Sequence, residues 1–390
     1  MKKRYLITEY GVKANSTDLQ TKEIQAVFDL CRENGGTVVV PRGRLYLYSV
    51  RMWSNTTLYL QAGAELFGSD DCNDYEIYEI PKGMEMRSDM EMIPQQYQYK
   101  PWDAYRRAII TAYGEKNISI VGERDSVIDG ANCYDPCGEE DYRGPHAIFL
   151  SCCENVHLEG YTVQNSGNFL HEANHCKNLT MRRVTCLAGS DGIHLHCTEN
   201  ALIEDCLFKT GDDCIAGINI KNMTVRRCVL NTSCSLFRMG GVNILVEDCY
   251  AYGPGYYPHR VTIVRGKNDY LPREEGRHNM LSLLTYFASV TYPYEPSNIR
   301  FKNCVIDQAK RLISYRADDV KGLYAGAYLD TLTLENVRFI GLDKTSYPVA
   351  AEHAPLTIRL KNVSYDFREE TEDRMLLDVK ADSYVNVIEE

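Results

Sequence analysis

Two short segments carry residues able to do acid–base chemistry. One is Gly189-Ser190-Asp191-Gly192, the other Gly211-Asp212-Asp213. Asp191 and Asp213 are 22 residues apart. If 22 residues make one turn of a stacked fold, their carboxylates meet across one rung, about 4.8 Å apart. Like charges that close raise each other's pKa unless they share a proton or bind something. Asp212 lies beside Asp213, and neighbours on a strand point to opposite faces. Bringing both to one face needs a bend or bulge, which Gly211 permits. Three converging carboxylates suit glycoside hydrolysis: one protonated to donate to the leaving oxygen, others ionised to activate water. The same spacing also fits a loop of solvated aspartates or a Ca²⁺ site.

Basic residues follow in the same register. His194 is three after Asp191; adding 22 twice gives Ala216 and Arg238, and one more coil gives Arg260. A basic column beside an acidic one suits an anionic saccharide, with arginines holding its carboxylate while aspartates cut the bond. The alternative is that the arginines simply neutralise the aspartates. His194 and His196 alternate with Ile193 and Leu195, so both histidines are expected to face outward, as substrate contacts or plain surface groups.

The elements that must position these groups show as a repeat. Asn155, Asn178, Asn200, Asn222 and Asn243 each open a short β-rich run, at spacings of 23, 22, 22 and 21, and a gap of 55 leads to Asn298. Six residues after each asparagine come Tyr161, Val184, Cys206, Cys228, Cys249 and Cys304. A repeat of this length without helical periodicity excludes TPR and ankyrin arrays, and the leucine-rich register is missing. It fits a parallel β-helix, an all-β solenoid whose coils bury their inward side chains by stacking. The asparagines then form an amide ladder, and the cysteines pack inside as small apolar groups. Residues 19–33 read as an amphipathic helix ended by Asn34-Gly35-Gly36 and capping the open end, so about 1–36 forms an N-terminal cap. Loop insertions are expected at about 70–107 and 250–296, and a closing segment at about 366–390. No linker divides the chain, so 1–390 reads as one domain.

The composition is that of a folded protein, 44% hydrophobic and 25% charged. The net charge of −11 argues against a nucleic-acid or anionic-membrane partner. The N-terminal apolar run stops after three residues, too short for a secretory signal, and no stretch is long enough to span a membrane. The 15 cysteines lack zinc spacing and read as reduced thiols. Together these lead to the expectation of a cytoplasmic protein.

From about Glu9 to Cys304 the chain resembles the polygalacturonase family, glycoside hydrolase family 28. The resemblance rests on Tyr10-Gly11-Val12-Lys13-Ala14, on Gly35-Gly36-Thr37-Val38-Val39-Val40-Pro41-Arg42-Gly43, on Gly63-Ala64-Glu65-Leu66 and on Val127-Ile128-Asp129-Gly130. It rests above all on Ser190-Asp191-Gly192, where the family has Asn-Thr-Asp, and on the acidic pair Gly211-Asp212-Asp213. The resemblance implies a right-handed parallel β-helix and an inverting hydrolysis that needs no metal or cofactor. It implies Asp212 as general acid, with Asp191 and Asp213 activating the water. Two departures stand out. Ser233–Gly241 carries no histidine where the family has Gly-His-Gly. For the family's Arg-Ile-Lys the first counterpart is Pro258-His259-Arg260-Val261-Thr262, which would retain Arg260 and lose the lysine, and the second is Arg265-Gly266-Lys267. His259 and Arg260 therefore join His194, His196 and Arg238 as candidate substrate-binding groups.

The expected function is hydrolysis of short plant-derived oligosaccharides or glycosides containing uronic acid or rhamnose. Two other readings stay open: a uronate lyase or epimerase on the same scaffold, and a saccharide-binding β-helix without catalysis.

Overall fold

The computed structural model describes residues 3–79, 105–135, 143–259, 263–264, 269–270, 277–287, 297–317, 328–372 and 374–390. Within these the chain is a right-handed parallel β-helix. Three walls of short strands repeat in order, each strand pairing in parallel with its counterpart one coil on.

The first wall includes Ile193–His196 and the beginnings of the long strands Ile215–Arg226 and Ser235–Glu247. The second wall includes Glu199–Glu204 and the later parts of the same long strands. The third wall includes Thr185–Ala188, Leu207–Thr210 and Val229–Thr232. Identical positions stack from coil to coil. Ile193, Ile215, Phe237, Leu284 and Ile313 form one inward column. Met181, Ile203, Val225, Val246 and Phe301 form another. All are buried in one continuous core. A single coil could not bury these side chains, so the stacking creates the core.

The asparagine ladder is present and longer than the repeat suggested. Side-chain amides link Asn55, Asn117, Asn155, Asn178, Asn200, Asn222, Asn243 and Asn298 in sequence. Each of Asn155, Asn178, Asn200 and Asn222 has a φ of 56–59°, a region that asparagine tolerates better than other side chains. The gap of 55 is one coil plus an excursion, since Asn298 donates to Asn243 on the adjacent rung. A second ladder joins Asp248, Asn303, Asn336 and Asn362 at the next bend. Cys206, Cys228, Cys249 and Cys304 are buried and unbridged.

The N-terminal helix is shorter than its pattern. It spans Thr21–Asp29 and buries Ile24, Val27 and Phe28 against the first coils. Leu19 and Leu30 lie outside it and stay exposed at 45% and 43%. Turns replace helix from Leu30 on: the Cys31 and Arg32 N–H groups donate three residues back, to the Phe28 and Asp29 carbonyls, and Cys31 stays buried against the core. Much of the expected insertion at 70–107 and of that at 250–296 lies outside the described residues. Among the described residues no helix is long and apolar enough to cross a membrane.

Candidate active site

Asp191 and the Asp212-Asp213 pair occupy successive copies of the bend from the third wall to the first. The bend, rather than a strand, lets Asp212 and Asp213 serve one site. Thr210 and Thr232 fix it by donating their hydroxyls to the Asp212 carbonyl oxygen. Gly211 is required by crowding. A Cβ there would lie 1.9 Å from the Pro258 carbonyl oxygen and 2.6 Å from that of Gly189.

The carboxylates climb the coils like stairs. The Asp213 N–H donates to Asp191 Oδ1 at 3.1 Å, and the Ser235 N–H to Asp213 Oδ1 at 3.0 Å. One oxygen from each of Asp191, Asp212 and Asp213 lies within 4.8 Å of the others. All three side chains are buried.

Cations surround the trio. Arg143 reaches Asp212 Oδ2 at 3.5 Å, and its guanidinium lies over the Phe169 ring at 4.8 Å. Arg238 stands 4.0 Å from Asp213 Oδ2 and over the Phe287 ring at 4.0 Å. His259 Nε2 is 3.6 Å from Asp212 Oδ1. Aromatic seats restrict both arginines, so their charge is held in place before any ligand arrives.

Protonation divides between these groups. Burial pushes the Asp191 and Asp213 carboxyls well up, and the charge on Asp212 adds to this. Burial acts the same way on Asp212, but His259, Arg143 and Arg238 overcome it and bring Asp212 down to about 2. Burial lowers His259, yet Asp212 outweighs it, and the net shift is upward. In the unliganded protein Asp212 is thus ionised beside a histidine that favours its charged form. This is the reverse of the protonation implied for Asp212 as general acid.

The basic column is only partly as the spacing placed it. His194, Ala216 and Arg238 do stack on adjacent rungs. The next rung carries Thr285, not Arg260. The chain leaves the solenoid after Tyr252 and returns at Ser282, so counting one more coil fails. Arg260 itself lies outside the described residues. His194 and His196 point away from the core, as their alternation required, but they are buried rather than surface groups, at 6% and 5% exposure. Phe169 covers His194 at a ring distance of 4.5 Å.

Several site groups had no legible signal. Arg143 lies in the connection between the strands Val127–Asp129 and His146–Ser151, outside any repeat register. Asn231 pins the excursion that carries His259: its amide donates to the carbonyls of Tyr252 and Pro254, and its oxygen accepts from the Tyr256 N–H. Ser233 adds a hydrogen bond to the Tyr257 carbonyl at 2.7 Å.

Two trios offer cation ligands within 4.8 Å of one another: Asp191, Asp212 and Asp213, and Asp212, Cys234 and His259. Both share Asp212, where Arg143 and His259 already supply positive charge.

Residues 85–236 match the family described as Glycosyl hydrolases family 28. A probable polygalacturonase of Vitis vinifera is 25% identical over 255 residues, covering 57% of this chain and 48% of that protein. An exo-poly-alpha-D-galacturonosidase of Dickeya chrysanthemi is 25% identical over 256 residues, covering 54% and 41%. The chain is similar to family 28 and to its polygalacturonases at low identity. Its matches span about half the length of these curated relatives or less. The fold is shared with the Yersinia enterocolitica family 28 exopolygalacturonase at a TM-score of 0.70, with 18% identity, covering 99% of this chain and 78% of that one. Within this polygalacturonase-like frame the histidine beside Asp212 comes from the excursion, as His259, and not from Ser233–Gly241.

Proposed function

We propose that the chain is a glycoside hydrolase acting inside the cell on short pectic oligosaccharides or glycosides that contain uronic acid or rhamnose. The observation that carries this is the buried trio of Asp191, Asp212 and Asp213 with pKa values driven apart by Arg143, His259 and mutual repulsion. Paired carboxyls of unequal pKa are what acid–base cleavage of a glycoside needs. Likeness to exo-acting relatives supports the substrate class. Buried unbridged cysteines such as Cys206 and Cys228 suit a reducing compartment.

Asp212 serves as general acid, and His259 supplies its proton. The two hold one proton between them, and moving it from Nε2 to Oδ1 arms the acid. That proton passes to the leaving glycosidic oxygen as the C–O bond breaks. Water attacks the anomeric carbon and yields its proton to Asp191 or Asp213. Arg238, 31% exposed at its side chain, faces the open side and holds a substrate carboxylate.

Short pectic oligosaccharides and plant glycosides, incubated in ¹⁸O-water and read by mass spectrometry, test the reading. The expected product carries ¹⁸O at its new reducing end. Asp212→Asn is expected to lower turnover roughly 10²–10⁴-fold. A product one water short would replace hydrolysis by elimination. The stereochemistry has its own test. Oxygens within 4.8 Å stand closer than the roughly 6.5–9.5 Å that usually accompanies inversion. Inversion therefore rests on the family resemblance, and ¹H NMR of the first-formed anomer decides it.

A further inference from the structure

On the proposed hydrolysis, Asp191 or Asp213 must be ionised when water attacks, although their surroundings favour the protonated form. A chain of buried groups leads away from Asp191 and offers a route for that proton. Asp191 Oδ2 lies 3.2 Å from Nδ1 of His194. Nε2 of His194 lies 2.9 Å from Nε2 of His196. Nδ1 of His196 lies 3.5 Å from Oε1 of Glu172. Glu172 is fully buried, at 0% exposure. It sits on the rung next to His194 in the same outward column, and Asn174 pairs with His196.

We propose that His194 and His196 form a proton relay through which Glu172 takes up and returns the carboxyl proton of Asp191. The central contact dictates the coupling. Two ring nitrogens 2.9 Å apart hold one proton between them, since two would clash and none would leave lone pairs facing. In one state Asp191 O–H donates to His194 Nδ1, His194 Nε2–H to His196 Nε2, and His196 Nδ1–H to the Glu172 carboxylate. In the other state every proton has moved along by one bond. Glu172 O–H then donates to His196 Nδ1, His196 Nε2–H to His194 Nε2, and His194 Nδ1–H to the Asp191 carboxylate. No proton is gained or lost, both histidines stay neutral, and one negative charge changes ends. His194 is suited to this, because burial, with Arg238 and Arg143 nearby, keeps it from becoming an imidazolium. At 3.2 and 3.5 Å the two end contacts are not yet aligned hydrogen bonds, and the side chains must turn as well as close to make them so, as catalytic contacts commonly do when ligand binds.

Other charged groups face this chain. Arg143, Arg238, Asp212 and the Asp213 N–H act on Asp191. His146 lies near His194. None of these links Asp191 to Glu172. The relay rests on the hydrolase reading for its use, but its existence can be measured without substrate. Glu172 and His196 are positioning residues here, acting through His194.

The experiment is a pH titration of the full-length protein labelled with ¹⁵N-histidine, reading the His194 ring nitrogens in wild type, Glu172→Gln, His196→Gln and the double variant. In wild type the proton is shared along the chain, and the His194 Nδ1 shift stays level while the pair holds one proton. Either single variant confines the proton to the Asp191 end, so Nδ1 is expected to gain a one-proton step. The double variant is expected to repeat the single-variant curve, because both substitutions cut one path. A Glu172→Gln curve that superimposes on wild type, or single effects that add in the double variant, would overturn the relay. Circular dichroism checks the fold, and His196→Gln preserves the test if Glu172→Gln does not fold. Where a substrate is turned over, kcat/KM of either single variant gains a matching acid limb. A protein that cleaves no glycoside but shows the coupled titration would refute the hydrolase reading and leave the relay standing.

Discussion

Asp212 and Asp213 are neighbours in sequence, yet their carboxyls shift in opposite directions. The sign of each effect on stability follows. Asp213 holds its proton in the fold above the unfolded carboxyl pKa of about 3.9. The folded state then binds more protons than the unfolded one, so stability falls as pH rises past about 4. Asp191 adds a penalty of the same sign. Asp212, at about 2 in the fold, behaves the other way. Its ion pairs stabilise above about 4, and the gain is lost as pH falls through 2. Asp213→Asn keeps an oxygen to accept the Ser235 N–H and removes the repulsion. It is therefore expected to raise the melting temperature at pH 7, change it little at pH 4, and abolish turnover. Asp212→Asn is expected to lower the melting temperature at pH 7. In a chain of 390 residues each change of about 1 kcal/mol should move the midpoint by roughly 1 °C, which thermal melts at the two pH values will show.

At the scale of elements, the site depends on how one bend meets one excursion. Gly211 packs against the Pro258 carbonyl, and the next residue on the excursion is His259. All three atoms that an added methyl would strike, the Pro258 oxygen at 1.9 Å and the Gly189 oxygen and Cα at 2.6 and 2.9 Å, are backbone. Gly211→Ala must therefore push the excursion away and take His259 off Asp212. Turnover is expected to fall by about tenfold or more, roughly 1.4 kcal/mol of barrier per decade, while far-ultraviolet circular dichroism stays unchanged. A variant with wild-type turnover would remove His259 from the acid's proton supply. The same division explains what the sequence showed. Asp191, Asp213, His194 and Arg238 were legible because the coil converts spacing into stacking. Arg143, Phe287 and the position of His259 were not, because segments between coils carry them and no period applies. The count to Arg260 failed for that reason: Thr285 occupies the next rung. The burial of His194 and His196 was hidden too. Alternation tells which way a strand side chain points, while what packs over it, as Phe169 does over His194, decides whether water reaches it.

At the scale of the molecule, the continuous core is a row of contacts between successive coils. In such a fold stability is set by nearest-neighbour interfaces, and damage at one end need not reach the middle. Phe28 tests this. It is 1% exposed and packs the N-terminal helix onto the first coils. Phe28→Ala should cost about 3–5 kcal/mol where the cavity forms. Hydrogen exchange is expected to quicken in Gly36–Val40 and Thr56–Leu60, which stack directly on the capped end. The strands Ile193–His196, Ile215–Arg226 and Ser235–Glu247 should keep their protection, and turnover should hold. Equal loss of protection along the whole chain would mean that the solenoid unfolds as one unit, with the cap stabilising the distant site directly. The graded outcome would mean that the central coils hold the carboxylates, the relay and the pinned excursion by their own stacking, with the helix needed only to keep the open end from fraying.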